Sequence, residues 1–270
     1  MALTIRHAAV AGRFYPRDPD DLRADLQSYL LPRQESLPAL GCVVPHAGYI
    51  YSGHVAGAVF AKIDIPRRCI LMCPNHTGMG PPLSIMSAGA WQTPLGQAGI
   101  DSELADALMR RFPLLAEDAE AHRAEHAAEV ELPFLQIKRP DCIFVPIALG
   151  TSQFDVLAAL GEAIADVVQP LGEPVLLIAS SDMNHYESDA VTRQKDFKAI
   201  ERILVMDTRG LFDVVMNEQI SMCGFGPTIA MLTAARRLGA TGTELIKYAT
   251  SGDVSGDRQL VVGYAGIIVR

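Results

Sequence analysis

The chain has 270 residues, 49% apolar and 20% charged, with a formal net charge of −8 at pH 7. That composition supports a sizeable core and lies far from the polar, charge-dense makeup of a disordered chain. An acidic balance without any basic run argues against nucleic-acid partners and against an anionic membrane surface.

The N-terminus, Met1-Ala-Leu-Thr-Ile-Arg-His7, lacks the apolar region of a signal peptide, and no run approaches the roughly 20 apolar residues of a membrane helix. Residues 7–19 read as an irregular arm with turns at Pro16 and Pro19. Asp20 or Asp21 is expected to cap a helix whose Leu22, Leu26, Tyr29 and Leu30 follow helical spacing. Residues 32–38 read as a linker. Leu40-Gly-Cys-Val-Val-Pro45 is a buried strand ending at Pro45-His46-Ala-Gly48. Ser52 is expected to cap the next helix, whose Gly53, Ala56, Gly57 and Ala58 allow close packing on a sheet.

Cys69-Ile-Leu-Met-Cys73 is a second buried strand, broken at Pro74-Asn-His76. Residues 84–91 alternate loosely and predict a strand of another direction. Helices are predicted at 101–112 and at 124–138, the latter bent at Pro133. Residues 142–149 and 174–179 are further buried strands, with a helix near 153–168 between them. Ser180-Ser-Asp182-Met-Asn-His185 follows the second of these. Helices near 188–205 and 208–216 come next, and Met222-Cys223-Gly-Phe-Gly-Pro227 opens another. Residues 244–249 and 261–269 are the last strands. Strands alternating with helices, without a dividing linker, predict one α/β domain over residues 1–270 with a largely parallel sheet.

Three strands therefore end in histidine-bearing turns, at His46, His76 and His185. If the strands are parallel neighbours, these side chains meet where open α/β sheets keep their ligand crevice. Histidine serves equally as metal ligand and as acid–base group. Cys223 differs from Cys42, Cys69 and Cys142, which sit in strand-like runs and read as reduced thiols of a cytoplasmic protein. It precedes a helix, whose N-terminal amides are expected to favour thiolate. Two histidines and a thiolate make a reasonable open metal site, although each residue also has an ordinary structural reading. Asp182 either orients His185 or caps a turn. Glu125 and Glu129, one helical turn apart, read as a solvated helix face. Tyr49 and Tyr51 line a pocket or cover the core. His7, His54 and His122 read as structural or exposed.

Taken together, Pro45-His46-Ala-Gly-Tyr-Ile-Tyr-Ser-Gly53, Pro74-Asn-His76, Glu125-His126-Ala-Ala-Glu129-Val-Glu-Leu-Pro-Phe134, Ser180-Ser-Asp182-Met-Asn-His185-Tyr186 and Cys223-Gly224 resemble the Memo family. The resemblance runs from the Ala11-Gly-Arg-Phe-Tyr-Pro16 arm to the last strand. It implies a single α/β/α sandwich with a largely parallel or mixed central sheet, similar to class III extradiol dioxygenases. By the same resemblance His46, His76 and Cys223 are the metal ligands, His185 and Asp182 stand beside them as catalytic groups, and Tyr49, His126 and Glu129 lie behind. Prokaryotic members, protein B of the AmmeMemoRadiSam system, are associated with an AMMECR-type protein and a radical-SAM protein. The animal member is described as a metal-binding redox and signalling protein that recognises phosphotyrosine peptides.

Extradiol dioxygenases hold Fe(II) with two histidines and a carboxylate, leaving positions open for both reactants. Cys223 in place of the carboxylate widens the choice from Fe(II) to copper or zinc. Three readings follow. The first is a non-haem metal oxidoreductase acting on a small, aromatic-type substrate. The second is a binding module that uses the same pocket for a partner protein or phosphotyrosine-like peptide. The third is a zinc hydrolase.

Overall fold

Four apolar segments form adjacent parallel strands, in the spatial order Ile143–Leu149, Arg68–Pro74, Val175–Ser180 and Gly41–Val44. The computed structural model describes residues 4–31 and 36–270, so residues 32–35 of the expected linker lie outside the described residues. These strands are buried on both faces, which is why they read as unbroken apolar runs. Strand geometry still sorts their side chains by alternation. Ile70 and Met72 join Val145, Ile147 and Leu177 on one face, while Cys69, Leu71 and Cys73 join Cys42, Phe144 and Ile178 on the other. Helices Phe154–Val168 and Phe225–Arg237 cover the first face. Helices Pro19–Tyr29, Tyr49–Lys62 and Leu132–Lys138 cover the second. The architecture is an α/β/α sandwich.

The sheet is mixed at its margins. Val261–Val269 runs antiparallel to Gly41–Val44, to Thr243–Thr250 and, at its start, to His185–Glu187. At the opposite side Gly96–Ile100 lies parallel to Ile143–Leu149 and continues through Ala90–Thr93 to Ile5–Arg6. Because the four central strands are parallel, their carboxyl ends share one edge. His46, His76 and Asp182 all follow those ends. Among the described residues no helix is long and apolar enough to cross a membrane.

Several local expectations are corrected. The predicted strand at 84–91 is two strands, Leu83–Ile85 and Ala90–Thr93. The chain turns between them at Gly89 (φ +110°), where a Cβ would meet the Thr4 carbonyl oxygen at 2.1 Å. The predicted helix at 124–138 begins only at Leu132, and Pro133 sits in its first turn, where a missing N–H is harmless, so it bends nothing. Asp18, not Asp20 or Asp21, caps the first long helix, accepting from both of their amides. Ser52 lies inside helix Tyr49–Lys62, its hydroxyl donating to the Ala47 carbonyl at 2.9 Å. The small residues of that helix serve a different neighbour than expected: a methyl group at Gly57 would lie 2.5 Å from the Tyr29 Cβ of the adjacent helix.

One buried acid outside the sheet edge gives a stability test. Asp196, on helix Asp189–Leu204, accepts the Asn184 amide at 2.8 Å and the Tyr248 hydroxyl at 2.6 Å. Burial nonetheless pushes its carboxyl up to about 7. Since the folded value lies above an unfolded value of about 3.9, its stabilising effect is full at lower pH and is lost as pH rises through 7. Asp196→Asn is therefore expected to gain in Tm relative to wild type from pH 4 to pH 8, levelling off above neutrality. A Tm difference that stays flat across that range would show that Asp196 is not the source.

Candidate metal centre

His46 is placed by strand Gly41–Val44 and is 1% exposed. Its amide donates to Asp182 Oδ1 at 2.8 Å, and its Nδ1 lies 2.8 Å from Ser180 Oγ. Ser180 Oγ donates to the Ala127 carbonyl at 2.7 Å, so it is free to accept from His46 Nδ1–H. That arrangement leaves Nε2 as the unprotonated ring nitrogen. His76 is held differently. Glu125 accepts its amide at 2.6 Å and its Nδ1 at 2.9 Å, one carboxylate gripping backbone and ring together. Here too Nε2 remains.

Cys223 Sγ lies 3.2 Å from His46 Nε2. His46, His76 and Cys223 each offer one donor atom, all within 4.8 Å of one another. Bond lengths of about 2.3 Å to sulfur and 2.0–2.1 Å to nitrogen, at angles of roughly 95–110°, put a sulfur and a nitrogen on one ion about 3.2–3.6 Å apart. The donor set fits a metal ion. A second trio, His76, Glu125 and His126, meets the same spacing. Its Glu125–His76 contact is the hydrogen bond that orients His76, and we read it as support for the first trio.

The three imidazoles form a tight cluster. His76 and His126 stack at 4.7 Å between centroids, and His46 stands edge-on to both at 5.2 and 5.4 Å. Burial lowers the His46 pKa well below its ordinary value, and the neighbouring His126 and His76 lower it further. Burial lowers His126 and His185 as well. Neutral rings are the form in which histidine binds metal. Asp182, 5% exposed, is pushed up to about 7 by burial, against amide donors from His46 and Ala47.

His185 lies on the same cavity. Its amide donates to Ser221 Oγ at 2.7 Å, and its Nδ1 lies 2.9 Å from the Ser221 carbonyl. A carbonyl can only accept, so Nδ1 carries the proton and Nε2 is free to take another. The cavity has a volume of about 640 Å³ and is lined by Phe14, His46, His76, His126, Asp182, His185, Tyr186, Ser221, Cys223 and Val262, among others.

Other expectations need correction. The Cys223 thiol is pushed well above its ordinary value, by burial first and then by Asp182, so the nearby helix end does not prevail. Glu125 and Glu129 are not a solvated face, since both are 0% exposed. Burial works against the Glu125 charge, yet hydrogen bonds from His76 and from the Ala127 amide hold its pKa below the usual carboxylate value. Glu129 binds Arg6, accepts the Ala9 and Val10 amides at 2.8 and 3.0 Å, and accepts the Tyr15 hydroxyl at 2.6 Å. It anchors the N-terminal arm that brings Phe14 to the cavity. Tyr49 is core, its hydroxyl donating to the Val130 carbonyl at 2.6 Å. Sequence reasoning missed Ser180, Ser221, Phe14 and Tyr186. Ser180 and Tyr186 lie within or next to the motif around Asp182, and Ser221 lies two residues before Cys223.

An α/β sandwich with a histidine–cysteine cluster at the carboxyl edge of its parallel strands defines the class of this protein. The Memo-like protein family model matches residues 6–268, and the chain belongs to that family. Its relatives include MEMO1 family protein MK0963 of Methanopyrus kandleri, 43% identical over 98% of this chain and 99% of the relative. The Methanosarcina barkeri protein Mbar_A1422 is 44% identical over 98% of this chain and its own full length. Among solved structures, an uncharacterized Escherichia coli K12 protein, JW3007, superposes with a TM-score of 0.54 at 12% identity, covering 83% of this chain and 98% of that one. At that identity the likeness concerns the fold.

Glu125→Gln replaces an acceptor oxygen with an amide donor facing the His76 N–H groups and removes the charge. Metal affinity, measured by chelator competition, is expected to fall about 10–100-fold with the circular dichroism spectrum retained. Unchanged affinity would show that Glu125 does not orient a ligand.

Proposed function

We propose that this chain is a metal-dependent oxidoreductase of dioxygenase type acting on a small, ring-bearing substrate. His46, His76 and Cys223 hold the metal, iron(II) by preference, with copper or zinc as the alternatives the donor set admits. The observation that carries this reading is the disposition of the two Nδ1 atoms. Ser180 and Glu125 occupy them, so both Nε2 atoms are left for one ion beside Cys223. Structural histidines have no need of that selection; ligating histidines are usually oriented in this way.

When bound, the ion supplies a Lewis-acidic, redox-capable centre with open positions, and a thiolate ligand donates more charge to it than a carboxylate does. The chain's own groups handle the protons. His185 is neutral near pH 7, with Nδ1–H committed to the Ser221 carbonyl, so Nε2 accepts the proton that a hydroxyl-bearing substrate gives up on binding. Asp182 titrates near neutrality and is suited to hold a proton and return it. Phe14, Tyr186 and Val262 contribute apolar surface to the cavity and limit water around the reacting atoms.

Two measurements test the metal assignment. Elemental analysis of anaerobically purified protein is expected to find about one iron or copper per chain, given one three-ligand site. Cys223→Ala and His46→Ala are each expected to abolish the retention; undiminished metal in either would refute the ligand set. Zinc as the sole retained ion would favour the hydrolytic reading. Because the high thiol pKa means that binding releases the Cys223 proton, affinity is expected to rise about tenfold per pH unit below that value. A pH-independent affinity between pH 6 and 8 would exclude the thiolate as a ligand.

A further inference from the structure

Among the described residues, three non-glycine residues have left-handed backbone: Tyr186 at φ 59°, Met206 at 52° and Gln219 at 51°. Two have an ordinary cause. Met206 and Gln219 immediately follow Val205 and Glu218, the last cap residues of helices Asp189–Leu204 and Thr208–Asn217. Beyond them the chain folds back, with Asp207 N–H donating to the Arg202 carbonyl at 2.9 Å and Ile220 N–H to the Val215 carbonyl at 3.0 Å. This is a common helix ending. Tyr186 ends no helix.

It sits in strand His185–Glu187, where the register shifts: His185 faces Val262 and Glu187 faces Val261. Two steps on one strand match one on the other, so Tyr186 is the extra residue of a β-bulge. Glycine fills a left-handed bulge position without strain, and a bulky residue there is an outlier that the surroundings must impose. Burial does not repay the strain, because Tyr186 is 72% exposed. Such strain collects at functional sites, and bulges re-aim side chains.

Here the bulge sets Tyr186 on the wall of the cavity that holds His46, His76 and Cys223. Its ring leans on His185 at 5.6 Å and 62°. A second aromatic lining residue, Phe14, packs on His126 at 4.7 Å. The cavity's titratable groups are thus flanked by aromatic surface, in a volume that accommodates a one-ring molecule. We infer that Tyr186 is a substrate-binding residue, kept in a strained bulge so that its exposed ring stacks on a planar ring of the small molecule at the metal. This inference rests on the metal assignment above and names the substrate class that the site selects.

The test compares two hydroxamates that present the same chelating head, benzohydroxamate with a ring and acetohydroxamate without one, titrated into iron-loaded protein. Wild type is expected to bind benzohydroxamate about tenfold more tightly, and Tyr186→Ala to erase most of that preference while metal content and acetohydroxamate affinity stay unchanged. Tyr186→Phe keeps the preference. Tyr186→Gly loses the preference but relieves the backbone, so its Tm is expected to rise by about 2 °C. A merely structural role would move binding and stability together. Equal affinity for the two hydroxamates in wild type, or an intact preference in Tyr186→Ala, overturns the inference. Wild-type protein that takes up no metal is recognised before any hydroxamate is added, and overturns the metal assignment and this inference with it.

Discussion

Three carboxyl groups, Glu125, Glu129 and Glu131, are completely buried within seven residues of chain, directly behind the imidazole cluster. Burying carboxylates without partners is costly, so the surrounding structure is built to supply donors. Glu125 takes the amide and ring of His76, and Glu129 takes Arg6, Tyr15 and two arm amides. Glu131 is the exception. Burial pushes it well above the usual carboxylate value, one of its oxygens has no partner, and the other lies 3.1 Å from Ser180 Oγ. It backs the serine that orients His46. Short turns and a 3-10 segment, not a continuous helix, let all three point inward.

That layer links the two ends of the sandwich. Glu129 holds the N-terminal arm across the sheet edge, and the Tyr49 amide, donating to the Phe14 carbonyl at 2.7 Å, fixes Phe14 at the cavity. Arg6, placed by the same carboxylate, also lies 4.4 Å from the centre of the Trp91 ring, tying the arm into the core. The opposite wall is fixed independently, by the pairing of His185–Glu187 with Val261–Val269 and by Ser221. Between these walls the centre gathers His46, His126 and His185 with pKa values lowered by burial, a thiol raised by burial and an acid titrating near neutrality. A bound cation would lower the thiol's pKa and favour the Asp182 carboxylate, since the ion would be the largest charge in the site.

The central sheet and the placement of His46, His76, Asp182 and His185 were readable from residue order, because strands buried on both faces are unbroken apolar runs. Their endings at proline or serine put the chemistry on one edge. The buried carboxylates were not readable. Glu125 and Glu129 stand four apart, the spacing of an exposed helix face, and their partners lie far off in sequence: His76 is 49 residues from Glu125, and Arg6 is 123 from Glu129. The thiol environment was misjudged for a related reason, since a helix end nearby is visible in sequence while burial beside Asp182 is not. The bulge at Tyr186 depends on strand register, which only the folded sheet defines.

The central claim is that one ion is shared by two histidine Nε2 atoms and the Cys223 sulfur. X-ray absorption at the metal edge of anaerobically iron-loaded protein tests it most directly. The expected spectrum contains one sulfur at about 2.3 Å together with nitrogen or oxygen donors near 2.0–2.1 Å, and loses the sulfur in Cys223→Ser. A wild-type spectrum fitted by nitrogen and oxygen alone would contradict the account.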